Sequence, residues 1–488
     1  MVIMGNAMRK SLLVAFLTAM VCGFALAGIL NFCTVQAATE VIGILTSDTT
    51  WTKANSPYNL TGPTAVSEGV TLTIEAGATV NLNDYYIQIN GTLRASGSST
   101  DKIYFNGGSD TWPNYAITFT SSSSDWNEQT GSGSIIENAI LSSTRISISN
   151  ASPKINDNSI IIVASMMESS EAIMSSGGSP IITNNNIKGG VSSSSGSAVI
   201  SYNTVTGGMG IYGGSPTIAY NNISGGSTYF WIGRSQERNY NVMYINGEGS
   251  AVISNNYITG NGGGILFDAG EHHEESIRYA PLISGNTIYN CGTGISIGSI
   301  AGTLIIERNL ISNNGTGISI RHDANLIIRS NTITENAKGI SVEYLTDEGF
   351  SKEILNNNIY ANKDYNFYLE GPNDINATYN WWGTTDTQAI NQTIYDVKYD
   401  FNLGTVTFVP FLTEPNPEAM PDPNAPIPTP PEQTPATSPT PTPDQTPTPT
   451  PSQEPQQTEQ LEIIVGVVIA VAVIGAGLGL LIYLIKRK

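Results

Sequence analysis

Ile283-Ser284-Gly285-Asn286-Thr287-Ile288 followed by Gly294-Ile295-Ser296-Ile297, then Ile306-Glu307-Arg308-Asn309-Leu310-Ile311 followed by Gly317-Ile318-Ser319-Ile320, is one phrase said twice. Its first half, an apolar residue, two small or polar residues, Asn, one residue and Ile or Val, returns around Asn158, Asn185, Asn203, Asn221, Asn256, Asn286, Asn309, Asn331 and Asn357. The Asn to Asn steps are 27, 18, 18, 35, 30, 23, 22 and 26 residues. A fixed phrase at a variable step means stacked units in which the turn is specified and the loops are free. Each Asn phrase reads as strand, tight turn, strand, with Ile pointing into a shared core. Asn stands at the bend, where it tolerates a left-handed backbone and bonds locally. Stacking the turns places one Asn above another in a ladder.

The second half of the phrase recurs as Gly264-Ile265-Leu266-Phe267 and Gly339-Ile340-Ser341-Val342. Its alternation marks a half-buried strand. Scarce Leu and the lack of a helical period exclude a leucine-rich repeat, and the coils are too short for propeller blades. From about Ile135 to Leu412, the Asn-x-Ile turns, the Gly-Ile strands and the closing Asn380-Trp381-Trp382-Gly383 resemble the NosD-like branch of right-handed parallel β-helix proteins, within the pectate-lyase-like group. That resemblance implies an all-β, right-handed parallel β-helix of about a dozen rungs, roughly 55 to 60 Å long at the usual strand spacing. It leaves function open, because the fold hosts lyases, hydrolases, epimerases, adhesins and non-catalytic surface proteins.

The chain has 488 residues, 49 of them Gly, and only 12% are charged, which suits short strands and tight turns. The expected organisation is a signal peptide over 1–37, an N-terminal cap and first coils over 38–134, repeats over 135–372, and a closing coil and cap over 373–412. A Pro/Thr-rich stalk over 413–460 and a transmembrane helix with a short basic tail over 461–488 complete it. Arg9 and Lys10 precede an apolar run, and Val35-Gln36-Ala37 offers a cleavage site. Ile463 to Ile485 is long and apolar enough to span a bilayer, and Lys486-Arg487-Lys488 behind it puts the bulk of the chain outside the cell. Such a stalk cannot bury a core and prefers extended polyproline II. Signal, β-helix, stalk and C-terminal helix together look like an archaeal-type surface protein.

Without the five basic residues at the two ends, about 16 basic groups face 40 acidic ones, a charge of about −24. That argues against nucleic acid and anionic lipid as partners for the outer portion. Cys22 and Cys33 fall in the signal, so Cys291 is alone and there is no disulfide framework. Asn-x-Ser/Thr acceptors stand at Asn59, Asn90, Asn150, Asn222, Asn314, Asn376 and Asn391, as expected of a glycoprotein, although so much Asn, Ser and Thr produces some by chance.

Three site readings follow. Aligning the Gly-Ile strands brings Asp268, Arg321 and Glu343 into one column with His322 beside it, an acid, base and clamp set for a lyase, glycoside hydrolase or epimerase. His272 and His273 in the loop Glu271 to Glu275, with His322, form a candidate metal set for copper or zinc, which the NosD-like name makes tempting. Adjacent His residues on a strand point to opposite faces, however, and the spacing matches no recurrent motif. Calcium through acidic loops is a further option, and no cofactor is required by the sequence. Third, Tyr212, Tyr229 and Trp231, with Phe230, Tyr240 and Tyr244, supply aromatic surface on which sugar rings stack. The expectation is a membrane-anchored surface β-helix that binds glycans or other envelope components without turnover.

Overall fold

The computed structural model describes residues 38–424 except 109–116, 163–170, 226–227, 233–234, 240, 248, 268–279, 299, 301, 323 and 344–350. The signal peptide, the stalk from 425 onward and the apolar stretch 463–485 lie outside the described residues. Two compact units divide the chain, 1–432 and 433–488. The second lies wholly outside them. Among the described residues no helix is long and apolar enough to cross a membrane.

The first unit is a parallel β solenoid. One sheet has 13 strands, from Thr49–Trp51 to Lys352–Leu355. A second, of 27 strands, is two columns of strands joined through Tyr58–Val66, which pairs with Thr79–Asn83 by one half and Ile87–Ile89 by the other. Each coil contributes one strand to each of three faces. Inward positions stack like on like: Ile265, Ile295, Ile318, Ile340 and Phe367 are in register and fully buried. Each such side chain contributes about 1.5–3 kcal/mol on leaving water.

The Asn ladder is present and ten rungs long, from Asn158 through Asn185, Asn203, Asn221, Asn256, Asn286, Asn309, Asn331 and Asn357 to Asn380. Every side-chain oxygen beyond the first accepts the backbone N–H and the side-chain amide of the previous rung's Asn, for example at 2.9 and 3.0 Å from Asn256 to Asn286 and 2.8 and 3.0 Å from Asn357 to Asn380. One detail differs from the sequence expectation. The left-handed residue is the one before the ladder Asn: Asp157, Asn184, Tyr202, Tyr220, Asn255, Arg308, Ser330, Asn356 and Tyr379 all have φ between 52° and 58°. Bending the chain one residue earlier frees the ladder Asn to turn its side chain inward and bond along the stack. A second, shorter ladder runs parallel to the first, in which Asn336 accepts from Asn314 at 3.0 and 2.9 Å and Asn362 accepts from Asn336 at 3.1 and 3.0 Å.

At the N-terminal end the stacked rings of Trp51 and Tyr58, 5.0 Å apart, close the core. At the other end Trp382 is buried edge-on to Phe408. The chain then doubles back. Asn416 exchanges backbone and side-chain hydrogen bonds with Asn358 at 2.8 and 2.9 Å, and Thr332 donates to the Ala419 carbonyl at 2.5 Å. The described beginning of the segment expected as a stalk, 413–424, is thus strapped across the last rungs.

Candidate functional site

Arg321 and Glu343 follow the strands Thr316–Ile320 and Lys338–Val342, whose register sets Ile320 opposite Val342. They stand on adjacent rungs as the alignment predicts, Nε to Oε1 at 3.6 Å, with 52% and 43% of their side chains exposed. An ion pair so open to water is worth about 0–1 kcal/mol. His322 is exposed beside Arg321. Asp268, His272 and His273 lie outside the described residues, among which no group of three or more His, Cys, Asp or Glu gathers. Tyr229 and Trp231 belong to Thr228–Ile232, which pairs antiparallel with Ser235–Asn239. This hairpin is inserted between the rungs of Tyr220 and Tyr244, and its side chains lie outside the description.

Tyr212 leads to a site that sequence reasoning missed. On the strands Ile146–Ser149, Glu171–Ser176, Gly190–Ser194, Met209–Ile211 and Met243–Ile245, the register makes Ser147, Met174, Ser192, Gly210 and Tyr244 one outward column. Arg145 precedes the first of these strands. Glu171 opens the second, opposite Gly190, with a bulge before Ile173. Outward positions of a solenoid ordinarily meet water. Here Arg145 is 6%, Glu171 9%, Ser192 4% and Tyr244 2% exposed.

Burial pushes the Glu171 carboxyl above its usual range, and this outweighs the hydrogen bond from Ser192 and the nearby Arg145 charge, both of which favour the carboxylate. The Tyr212 hydroxyl is raised by burial first, then by the Glu171 charge and by Tyr244. The Tyr212 and Tyr244 rings meet tilted at 6.1 Å, and Asn246 donates to the Tyr244 hydroxyl at 2.9 Å. Just beneath, Ser175 and Ser193 replace the inward Ile148 and Ile211 of neighbouring rungs. Their buried hydroxyls have no hydrogen-bond partner among the described residues. Both faces of this wall are therefore polar, where the same inward positions on the rungs before and after hold isoleucine. The cluster offers a guanidinium, a carboxyl held toward its protonated form, a serine hydroxyl and two phenols within one desolvated patch, suited to hydrogen-bonding a polyhydroxylated ligand or to moving a proton.

A second aromatic group is less suited to sugars. Tyr368, Tyr395 and Tyr399 stack at 4.6 and 5.0 Å, with the Lys338 ammonium 3.3 Å from the Tyr368 centroid and Lys398 5.5 Å from that of Tyr399. Ring faces spent on one another and on cations are closed to a sugar ring, so this pile shows mainly its edges. It finishes the strand column.

A family model for the right-handed beta helix region matches residues 240–391. Residues 240–391 are thus similar to a right-handed β-helix, and the described residues around them continue the same parallel solenoid. Among solved structures, this β-helix is similar to the periplasmic alginate epimerase AlgG, at 12% identity and a TM-score of 0.30, and to two mutant forms of it, at 12% and 13% identity with TM-scores of 0.37 and 0.33. Each likeness covers 72% of this chain and 77% of the other. No curated protein matches it in sequence.

Proposed function

We propose that this β-helix is an exported protein, held at a cell surface by its C-terminal apolar stretch, that binds polysaccharide without turnover at the patch of Arg145, Glu171, Ser192, Tyr212 and Tyr244. The observation that carries the reading is the desolvation of outward-facing charged and phenolic groups beneath Tyr212, whose ring is part-exposed and whose hydroxyl is buried. The leader, the Pro/Thr-rich stalk and Lys486-Arg487-Lys488 support the surface location, and the Asn-x-Ser/Thr acceptors support a glycoprotein. The archaeal-type layout rests on the same order of segments.

A second reading is favoured by the raised Glu171 carboxyl: a general acid facing a bound sugar, with Arg145 holding an anionic group and turnover following. One experiment separates the two. The soluble chain is incubated with neutral and acidic polysaccharides while both retention and new chain ends are followed. Retention without new ends, weakened several-fold by Tyr212→Ala, which removes the part-exposed ring, is the expected result. New ends that disappear in Glu171→Gln establish the enzyme reading, and neither retention nor cleavage refutes both.

A further inference from the structure

The seven acceptor sequences are not equivalent in the fold. Asn314 is buried in the second ladder, its amide donating to the Ile288 carbonyl at 3.2 Å and to Asn336 at 2.9 Å. Asn59 and Asn90 are half-buried and tied to neighbours, Asn59 accepting from Asn81 at 2.7 Å and Asn90 from Gln88 and Thr120 at 3.0 and 2.9 Å. Asn222 sits half-buried within the strand Asn222–Ser224. Asn150, Asn376 and Asn391 are exposed. Asn376 also takes the Thr378 N–H on its side-chain oxygen at 3.1 Å, an Asx turn.

We infer that Asn150, Asn376 and Asn391 carry N-linked glycans and that Asn314 does not, which rests on the export reading above. The amide nitrogen of each attacks the anomeric carbon of a lipid-phosphate-linked oligosaccharide. A nitrogen–carbon bond forms, the bond from that carbon to the phosphate oxygen breaks, the amide gives up one proton and the lipid phosphate leaves. A large polar group is tolerated only where the folded side chain stands in water. At Asn314 it would also break the ladder.

The positions give two of these glycans a task. Asn391 lies three residues before Ile394–Tyr395, the last strand of its column, which pairs on one side with Tyr365–Leu369 and on the other with no strand among the described residues. Asn376 lies on Ile375–Asn376, in the same closing region. Open strand edges recruit further strands. Glycans at Asn376 and Asn391 guard that end against self-association.

The test is glycopeptide mass spectrometry of the full chain, made in a secretory host that transfers lipid-linked oligosaccharide, with leader cleavage read from the same digest. Glycans on Asn150, Asn376 and Asn391 and none on Asn314 are expected. Asn150→Gln, Asn376→Gln and Asn391→Gln should each lower the mass by one glycan, and the double variant at 376 and 391 should shift toward larger species in size exclusion. A cleaved leader with these three sites bare, or a glycan on Asn314, overturns the inference while leaving the export reading standing. An uncleaved leader with all sites bare overturns both.

Discussion

Asn309 makes five hydrogen bonds through one fully buried side chain. Its oxygen accepts the Asn286 N–H at 2.9 Å and the Asn286 side-chain amide at 3.0 Å, and its amide donates to the carbonyls of Ile283 and Glu307, each at 3.0 Å, and to Asn331 at 2.9 Å. Asn309→Ala removes all five, but the losses differ in weight. The Glu307 carbonyl keeps the Gly285 N–H, and the Asn331 oxygen keeps the Asn309 N–H. The Asn286 N–H is left buried without its partner, at a cost of about 1–3 kcal/mol, and the other bonds lost bring the total to about 3–5 kcal/mol. Asn309→Asp is worse at neutral pH. A carboxylate still accepts from Asn286 but turns its second oxygen onto two carbonyls and the Asn331 oxygen, with no proton to offer. Urea unfolding of residues 38–424, followed by circular dichroism and tryptophan fluorescence, should order the stabilities wild type, Asn309→Ala, Asn309→Asp, with the last recovering on acidification. A loss below about 1 kcal/mol for the alanine variant, or equal losses for the two, would refute the claim that the ladder specifies the stack.

Gly317→Ala places a methyl group 2.5 Å from the Gly339 carbonyl oxygen and 2.8 Å from Ile333, and should cost about 1–3 kcal/mol in the same assay. Cys291 takes the place of a ladder residue, its N–H donating to the Asn314 oxygen at 2.9 Å. Cys291→Asn should therefore raise stability by about 0.5–1.5 kcal/mol for each bond it adds. Burial pushes the native thiol up to about 11, so a thiol reagent should label Cys291 only after denaturant is added. Because the folded Glu171 carboxyl titrates above its unfolded range, the folded state holds more protons between the two, and stability falls as pH rises through that window. Glu171→Gln mimics the protonated side chain, so its urea midpoint should match wild type near about pH 4 and gain on it toward about pH 8, and a constant difference would contradict the assignment.

The ladder and the Gly-Ile strands were legible because their causes are local and repeat. Each ladder Asn sees the same carbonyls above and below. Gly294, Gly317 and Gly339 recur because a Cβ at each would press on the next rung's carbonyl, at 2.6 Å for Gly294. The sequence could also show that Arg321 and Glu343 align. It could not show that alignment leaves them in water, because burial of an outward position depends on chain far away in sequence.

The same limit hid Arg145 and Glu171. Arg145 opens an alternating Ile-Ser-Ile-Ser strand and looks like an ordinary surface charge. Glu171 has no phrase around it at all. One trace of the site was nevertheless in the sequence: from Gly189 to Gly233 no residue is charged, in a chain with 61 charged side chains. Those coils supply Ser192, Gly210 and Tyr212, so the patch has small and phenolic groups in its floor and imports both charges from the preceding rungs. At Glu171 burial outweighs both the Ser192 hydrogen bond and the Arg145 charge. That balance makes the patch sensitive to what binds it. A ligand bearing an anion should offset the Arg145 charge felt at Glu171 and raise the carboxyl further, whereas a neutral sugar supplying hydroxyl donors should lower it, so the direction of proton uptake on binding, read by calorimetry in two buffers, distinguishes the two ligand classes.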